Sequence, residues 1–290
     1  MTGSRNNASL GAWDDAAELA ARGLARGRTA GGVSYAVGGA GPFLFLLHGG
    51  SGSWNHWIAN LAPLSRDFRV AALDLPSFGL SDPIDPKTPN PAYVDATCAA
   101  IAEIAEGAPF DLAGFSFGGF LAACVAKQMA PQTARLSLIG PNGFPPPERE
   151  LNLYGVRTLE QRLGRPPAPD ELREMHRNNL SEMMLSSPVG LADPLVDLHI
   201  WNVERTRFNS RRLSWSGEMA TLYPTLELPT LVLFGERDRS QTPTIKWRME
   251  ELKAMRPETE LLELAGAGHW AMFEKPDAAN AALQRFHGGA

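Results

Sequence analysis

The chain has 290 residues and a formal charge of −5, long enough for one large α/β domain with an insertion or for two small domains. Its acidic balance argues against nucleic acid or an anionic membrane surface as the main partner. No segment reaches the ~20 apolar residues of a membrane span.

Arg5, Asp14, Asp15 and Glu18 stand where a secretory signal would need its apolar run. Cys98 and Cys124, the two cysteines, fall in helix-like segments without metal spacing, so a reduced, cytoplasmic, unprocessed protein is expected, with both thiols acting as small hydrophobes. Val33 to Val37 and Phe43 to Leu47 read as strands, and Gly38-Gly39-Ala40-Gly41-Pro42 between them is turn chemistry, so a hairpin is expected to open the domain. Val70 to Leu73, Phe110 to Ala113, Leu136 to Ile139, Thr230 to Phe234 and Glu260 to Leu264 follow as short apolar runs. Runs without polar alternation, separated by helical stretches, belong to a parallel sheet buried on both faces.

The fourth of these seven runs leads into Gly114-Phe115-Ser116-Phe117-Gly118-Gly119. One serine between small residues, after a buried strand and before an amphipathic helix over Phe117 to Gln128, is the pattern of a nucleophile elbow. Flanking glycines let the helix pack close to the strand while the serine takes strained backbone geometry. Residues 141–223 then lose the strand rhythm: Pro145-Pro146-Pro147 and Pro166-Pro167-Ala168-Pro169 punctuate stretches rich in Met, Arg and Asn. This region is expected to be a helical cap inserted into a core made of residues 1–140 and 224–290. Within it, a helical wheel from Leu191 to Phe208 puts Leu198, Trp201, Arg205 and Phe208 on one arc. An arginine in an apolar stripe is costly unless paired, so Arg205 should meet either an internal acid (Glu182, Asp193 or Glu218) or a substrate carboxylate. Met183-Met184 and Trp215 read as cap packing.

Beyond the insertion, Leu231 to Phe234 leads to Gly235-Glu236-Arg237-Asp238, and Leu262-Glu263-Leu264 to Gly266-Ala267-Gly268-His269-Trp270. Ser116, Asp238 and His269 thus each follow the carboxyl end of a strand, where an open parallel sheet places its ligand site. A serine hydroxyl needs a base to become a nucleophile, and an imidazole of ordinary pKa about 6.5 can take the proton and return it. Asp238 would accept the other ring N–H, with Glu236 as the rival acid. The oxyanion would be held by the backbone N–H of Phe117 at a helix head and that of Gly50, with Ser51 as neighbouring candidate. Gly49, Ser51, Phe115 and Trp270 are expected to meet substrate together with Arg205 and Trp201, and the loop Ser53-Trp54-Asn55-His56-Trp57 to shape specificity. Asp74 and Gly79 are expected to order a loop.

Over nearly its whole length the chain resembles the α/β-hydrolase superfamily. The resemblance rests on His48-Gly49-Gly50, on Asp74-Leu75-Pro76-Ser77-Phe78-Gly79-Leu80-Ser81-Asp82, on the elbow, on Gly235-Glu236-Arg237-Asp238, and on Gly268-His269 with Glu274. It implies an α/β fold with a mostly parallel sheet, helices on both faces and a helical cap, a Ser-His-Asp hydrolase, and no metal or cofactor. Gly268-His269-Trp270 with a cap arginine looks like the meta-cleavage-product hydrolases, which split carbon-carbon bonds in dienoic keto acids. Phe115 departs from that group, which carries Asn before the serine, and an apolar residue there favours a greasy acyl or aromatic moiety. Hydrolysis of a carboxylic ester of a small, largely apolar or aromatic molecule therefore ranks first and carbon-carbon hydrolysis second. Lactone or thioester cleavage needs the same machinery, and a receptor or scaffold with an idle triad is the non-enzyme alternative. The partner expected is a small-molecule substrate; the sequence allows a homodimer without fixing the oligomeric state.

Overall fold

A computed structural model describes residues 19–20, 22–144, 153–241 and 243–289; the N-terminal residues read against a signal and the Pro145–Pro147 run lie outside them. Eight strands form one sheet: β1 (Leu24–Arg28), β2 (Ser34–Gly38), β3 (Phe43–Leu47), β4 (Arg69–Leu73), β5 (Phe110–Phe115), β6 (Thr133–Ile139), β7 (Thr230–Gly235) and β8 (Glu260–Leu264). Their spatial order is β1-β2-β4-β3-β5-β6-β7-β8. All neighbours from β4 to β8 run parallel, and β2 is antiparallel to both β1 and β4.

The opening hairpin is a different one from that expected. β2 pairs with β1, joined by a turn in which the Thr29 N–H donates to the Val33 carbonyl, whereas β4 lies between β2 and β3. The glycine-rich stretch before Pro42 is a crossover pressed onto the segment ahead of β4. Gly39 has φ +79°, and a Cβ there would stand 2.2 Å from the Phe68 carbonyl oxygen.

Strand periodicity distributes the core. Phe45 and Leu47 of β3 face one side, where they pack with helices α1 (Asn90–Ala105), α2 (Phe117–Gln128) and α6 (Ile245–Met255). Leu44 and Leu46 face the other side and pack with α7 (Pro276–His287). Burial on both faces explains why β3 and β7 read as apolar runs and why β5 does so apart from Asp111. The acid within β5, Asp111, lies 2.9 Å from His287 Nδ1.

Between β6 and β7 lie α3 (Val156–Leu163), α4 (Pro169–Met183) and α5 (Pro194–Glu204) with shorter helical turns. Asp193 caps α5 by accepting the Leu195 N–H. The helix ends at Glu204, earlier than the wheel assumed: the Arg205 N–H and the Thr206 hydroxyl both turn back to the Asn202 carbonyl, and the Arg207 N–H is taken by the Ser77 carbonyl. Phe208 leaves the helical stripe and stacks on Tyr93, with ring centroids 4.1 Å apart.

The β5–α2 junction is closely packed. Ser116 has φ 54° and ψ −115°, a conformation costly for a residue with a Cβ. A Cβ at Gly114 would lie 2.2 Å from the Gly118 carbonyl oxygen, and one at Gly118 would lie 2.4 Å from the Leu47 carbonyl oxygen. Gly114→Ala should therefore cost about 3 kcal/mol of stability in thermal or urea unfolding. Gly190→Ala, where a Cβ meets nothing within 4 Å, should change stability by less than about 0.5 kcal/mol; equal effects would refute the close-approach argument.

Candidate active site

Sheet register brings the site together. Phe115 pairs with Ile139 and Ile139 with Leu233, so the chain emerges side by side from three strands. The Ser116 N–H donates to the Ile139 carbonyl, the Gly140 N–H to the Leu233 carbonyl, and the Asn142 N–H to the Ser116 carbonyl.

At these strand ends the predicted residues meet. His269 Nε2 is 2.8 Å from Ser116 Oγ, and His269 Nδ1 is 2.7 Å from Asp238 Oδ2. The Ser240 hydroxyl and backbone N–H both donate to Asp238 Oδ1, at 2.6 and 2.8 Å, so both carboxylate oxygens have partners. Ser240 Oγ is also 3.0 Å from His269 Nδ1, and the Asn142 side-chain amide donates to Ser116 Oγ at 3.1 Å. The rival acid, Glu236, points elsewhere and accepts the Gly266 N–H. The loop carrying His269 is held from outside: Glu274 accepts the N–H groups of Gly268 and Ser186, and the Trp270 N–H donates to the Met184 carbonyl.

Opposite the serine, the loop after β3 is fixed by a buried histidine. His48 Nδ1 is 2.7 Å from the Gly49 carbonyl oxygen and can only donate to it, while Nε2 accepts the Leu75 N–H. This arrangement requires a neutral ring, and burial lowers the His48 pKa to about 4. A Cβ at Gly49 would stand 3.2 Å from the Ser116 Cβ, and one at Gly50 would stand 2.7 Å from Ser210 Oγ. Phe117 opens α2, where a backbone N–H has no acceptor within the helix. A cavity of about 700 Å³ opens onto Ser116 and His269, with Gly49, Gly50, Ser51 and Phe115 in its wall.

Residues 44–282 match the model of the alpha/beta hydrolase family. The chain belongs to that family. It is 27% identical over 267 residues to a 2-hydroxy-6-oxononadienedioate/2-hydroxy-6-oxononatrienedioate hydrolase of Pseudomonas sp, covering 86% of this chain and 89% of that one. It is 29% identical over 273 residues to a pimeloyl-[acyl-carrier protein] methyl ester esterase of Xanthomonas axonopodis pv. citri (strain 306), covering 86% and 96%. Among solved structures, a membrane phospholipase A described as a bacterial virulence factor superposes with a TM-score of 0.75 at 26% identity, covering 94% of this chain and 88% of that one. The eight-stranded, mostly parallel sheet with flanking helices is thus the α/β-hydrolase fold.

Several residues of this hydrolase lie away from where the sequence reading put them. Arg205 and Trp201 are not in the cavity wall: the guanidinium lies over the Trp201 ring at 4.4 Å and 3.9 Å from Glu204, and meets none of the three acids expected. It is His199, Val203 and Glu204 of α5 that line the cavity, not the stripe carrying Trp201. Trp270 is fully buried, stacked on Phe273, and donates its indole N–H to the His56 carbonyl. The loop Ser53–Trp57 is core rather than cavity wall: its side chains are buried, and the amides of Asn55 and Asn202 donate to each other's oxygens at 2.9 Å. Asp74 orders its loop as expected, accepting the N–H groups of Trp54 and Leu80. Met183, Met184 and Trp215, read as packing, line the cavity.

The sequence reading missed Asn142 and Ser240 at the serine and acid, and His176, His199 and Arg248 in the cavity wall. Nearness in sequence to a strand end was the signal for the first two; His176 and His199 left none.

Burial lowers the pKa of His199 to about 3, with His176 adding to the effect, and pushes that of His56 well below its usual value. With His48, three histidines stay neutral in the fold but charge in the unfolded chain below pH about 6.5. The unfolded state then binds more protons, so their contribution to stability is complete above that pH and is lost as pH falls through 6.5 toward the folded values. Melting temperature should drop between pH 7.5 and pH 5, because the unfolded rings charge below about 6.5 while the folded ones, lowered to about 4 for His48 and about 3 for His199, stay neutral. His199→Asn should give a shallower drop; an equal slope would show that His199 does not titrate between the two states.

Proposed function

We propose that this hydrolase cleaves a carboxylic ester of a small, largely apolar or aromatic molecule through an acyl-enzyme on Ser116. The observation that carries the reading is the continuous hydrogen-bonded chain Ser116–His269–Asp238 opening on the cavity. In this scheme the Ser116 hydroxyl gives its proton to His269 Nε2 as Oγ attacks the ester carbonyl. Asp238 holds the Nδ1 proton and stabilises the imidazolium, and the Ser240 hydroxyl keeps the carboxylate turned toward the ring. The N–H groups of Phe117 and Gly50 receive the negative oxygen, each worth roughly 3 kcal/mol of barrier. His269 then returns the proton to the departing alcohol oxygen, and water, deprotonated by the same imidazole, releases the acid and frees Ser116.

Phe115, Met183, Met184, Leu172 and Phe144 give the cavity an apolar wall, which supports an apolar acyl or aromatic group. The segment between β6 and β7 supplies much of that wall and serves as the cap. Carbon-carbon hydrolysis is the second reading, favoured by the relative from Pseudomonas sp. Against it, Phe115 presents a ring that packs 4.9 Å from His269 and offers no hydrogen bond to a polar dienoate; Arg205 stands outside the cavity wall, but Arg211 and Arg248 line it.

A paired assay separates the two: p-nitrophenyl esters of graded acyl length against a phenyl-substituted dienoic keto acid, with Ser116→Ala as blank. The esters should be turned over faster, Ser116→Ala and His269→Ala should abolish most turnover, and Asp238→Asn should lower kcat by about 10⁴ with the fold retained. Near-normal activity in any of these variants would reject the mechanism. Preference for the keto acid would reject the ester assignment.

A further inference from the structure

The cavity contains a second polar feature that the proposed chemistry does not use. His176 on α4 and His199 on α5 both line it, with ring centroids 5.5 Å apart in an edge-to-face arrangement. His176 is 9% exposed, and its Nδ1 is sealed from solvent without a hydrogen-bond partner. The neighbouring cavity residues offer little: the Asn179 side chain is already committed, accepting the Tyr154 N–H and donating to the Tyr154 carbonyl. Among the described residues neither imidazole has a hydrogen-bond partner, and with Nδ1 of His176 sealed off its Nε2 is the nitrogen left for the cavity, so the pair has hydrogen-bonding capacity for something else.

The chemistry of the pair selects the ligand. Burial lowers the pKa of both rings, so each is neutral and carries one N–H donor and one lone-pair acceptor. Glu204 lies in the same wall and acts on His176, which disfavours a carboxylate or phosphate next to that ring; Arg211 and Arg248 also line the cavity. Among the described residues no third His, Cys, Asp or Glu completes a metal-binding group with them. A hydroxyl is both donor and acceptor, and one oxygen with hydrogen bonds of about 2.9 Å can span two rings at this spacing.

We propose that His176 and His199 form a hydroxyl-binding subsite, so that the substrate is an ester whose apolar body carries an uncharged alcohol or phenol group. This rests on the ester reading above and adds the substrate's second functional group. The surrounding Met175, Met183 and Leu172 would hold the apolar body, and the imidazole pair would set its depth and therefore the position of the carbonyl at Ser116.

The test uses two sets of p-nitrophenyl and alkyl esters of graded length, each compound matched with its deoxy counterpart, with the hydroxyl on the acyl half in one set and on the alcohol half in the other. In one set the wild-type protein should prefer the hydroxylated member by about tenfold in kcat/KM. His176→Leu and His199→Leu should bring that ratio to about one, and His199→Gln, which keeps a donor and an acceptor, should retain part of the preference. A wild-type ratio near one in both sets would mean that water alone satisfies the histidines and would overturn the subsite, as would Leu variants that keep the preference. Binding of the same pairs to Ser116→Ala reads the subsite without turnover. A hydroxyl preference there, with no wild-type hydrolysis, would uphold the subsite and reject the ester chemistry; turnover of both members with no binding preference would do the reverse.

Discussion

The structure depends on one close approach, that of the first turn of α2 to the ends of β3 and β5. Gly114 and Gly118 allow it, since their missing Cβ atoms would fall within 2.4 Å of backbone carbonyl oxygens. The chain can then reverse within one residue, and that residue, Ser116, is forced to φ 54°. Strain of this kind costs roughly 1–3 kcal/mol, and the buried core on both faces of the sheet offsets it. Its result is a side chain aimed away from the sheet, beside the start of a helix, in front of the loops that follow β6, β7 and β8.

The rest of the site is organised around that serine by loops tied to one another rather than to the sheet alone. Ser240 fixes one oxygen of Asp238 and His269 meets the other. Glu274 binds the loop before His269 to Ser186 of the β6–β7 segment, and the Asn55–Asn202 pair binds α5 to the loop after β3. The segment that lines the cavity is thereby coupled to both sides of the Ser116–His269 pair. A substitution at Glu274 or Asn202 acts on the position of His269 or the cavity wall without touching Ser116 or His269 directly.

The fold was legible where burial was complete. β3, β5 and β7 are buried on both faces and their largely apolar runs mark them directly; β1, Leu-Ala-Arg-Gly-Arg at a sheet edge, has only its leucine buried and left no such mark. Losing β1 misassigned the hairpin, because the apolar runs alone do not say which strand lies beside β2. Ser116, Asp238 and His269 were legible because each stands a few residues past a strand end, so chain order fixed their neighbourhood. Arg205, Trp201 and Trp270 were placed on periodicity or adjacency, which cannot register that the Thr206 hydroxyl and the Ser77 carbonyl end a helix early or that an indole N–H turns toward His56. His176 and His199 meet through helix packing, 23 positions apart in sequence, and only the fold shows them as a pair.

The central claim is that the strained serine is a nucleophile activated by His269. Its most direct test needs no knowledge of substrate: the protein is treated with a fluorophosphonate, and the modified peptide is mapped by mass spectrometry in wild type and in His269→Ala. The account predicts one adduct, on Ser116, formed at least about 10³ times more slowly when the imidazole is removed. Slow labelling that His269→Ala leaves unchanged, or an adduct on any other residue, would contradict it.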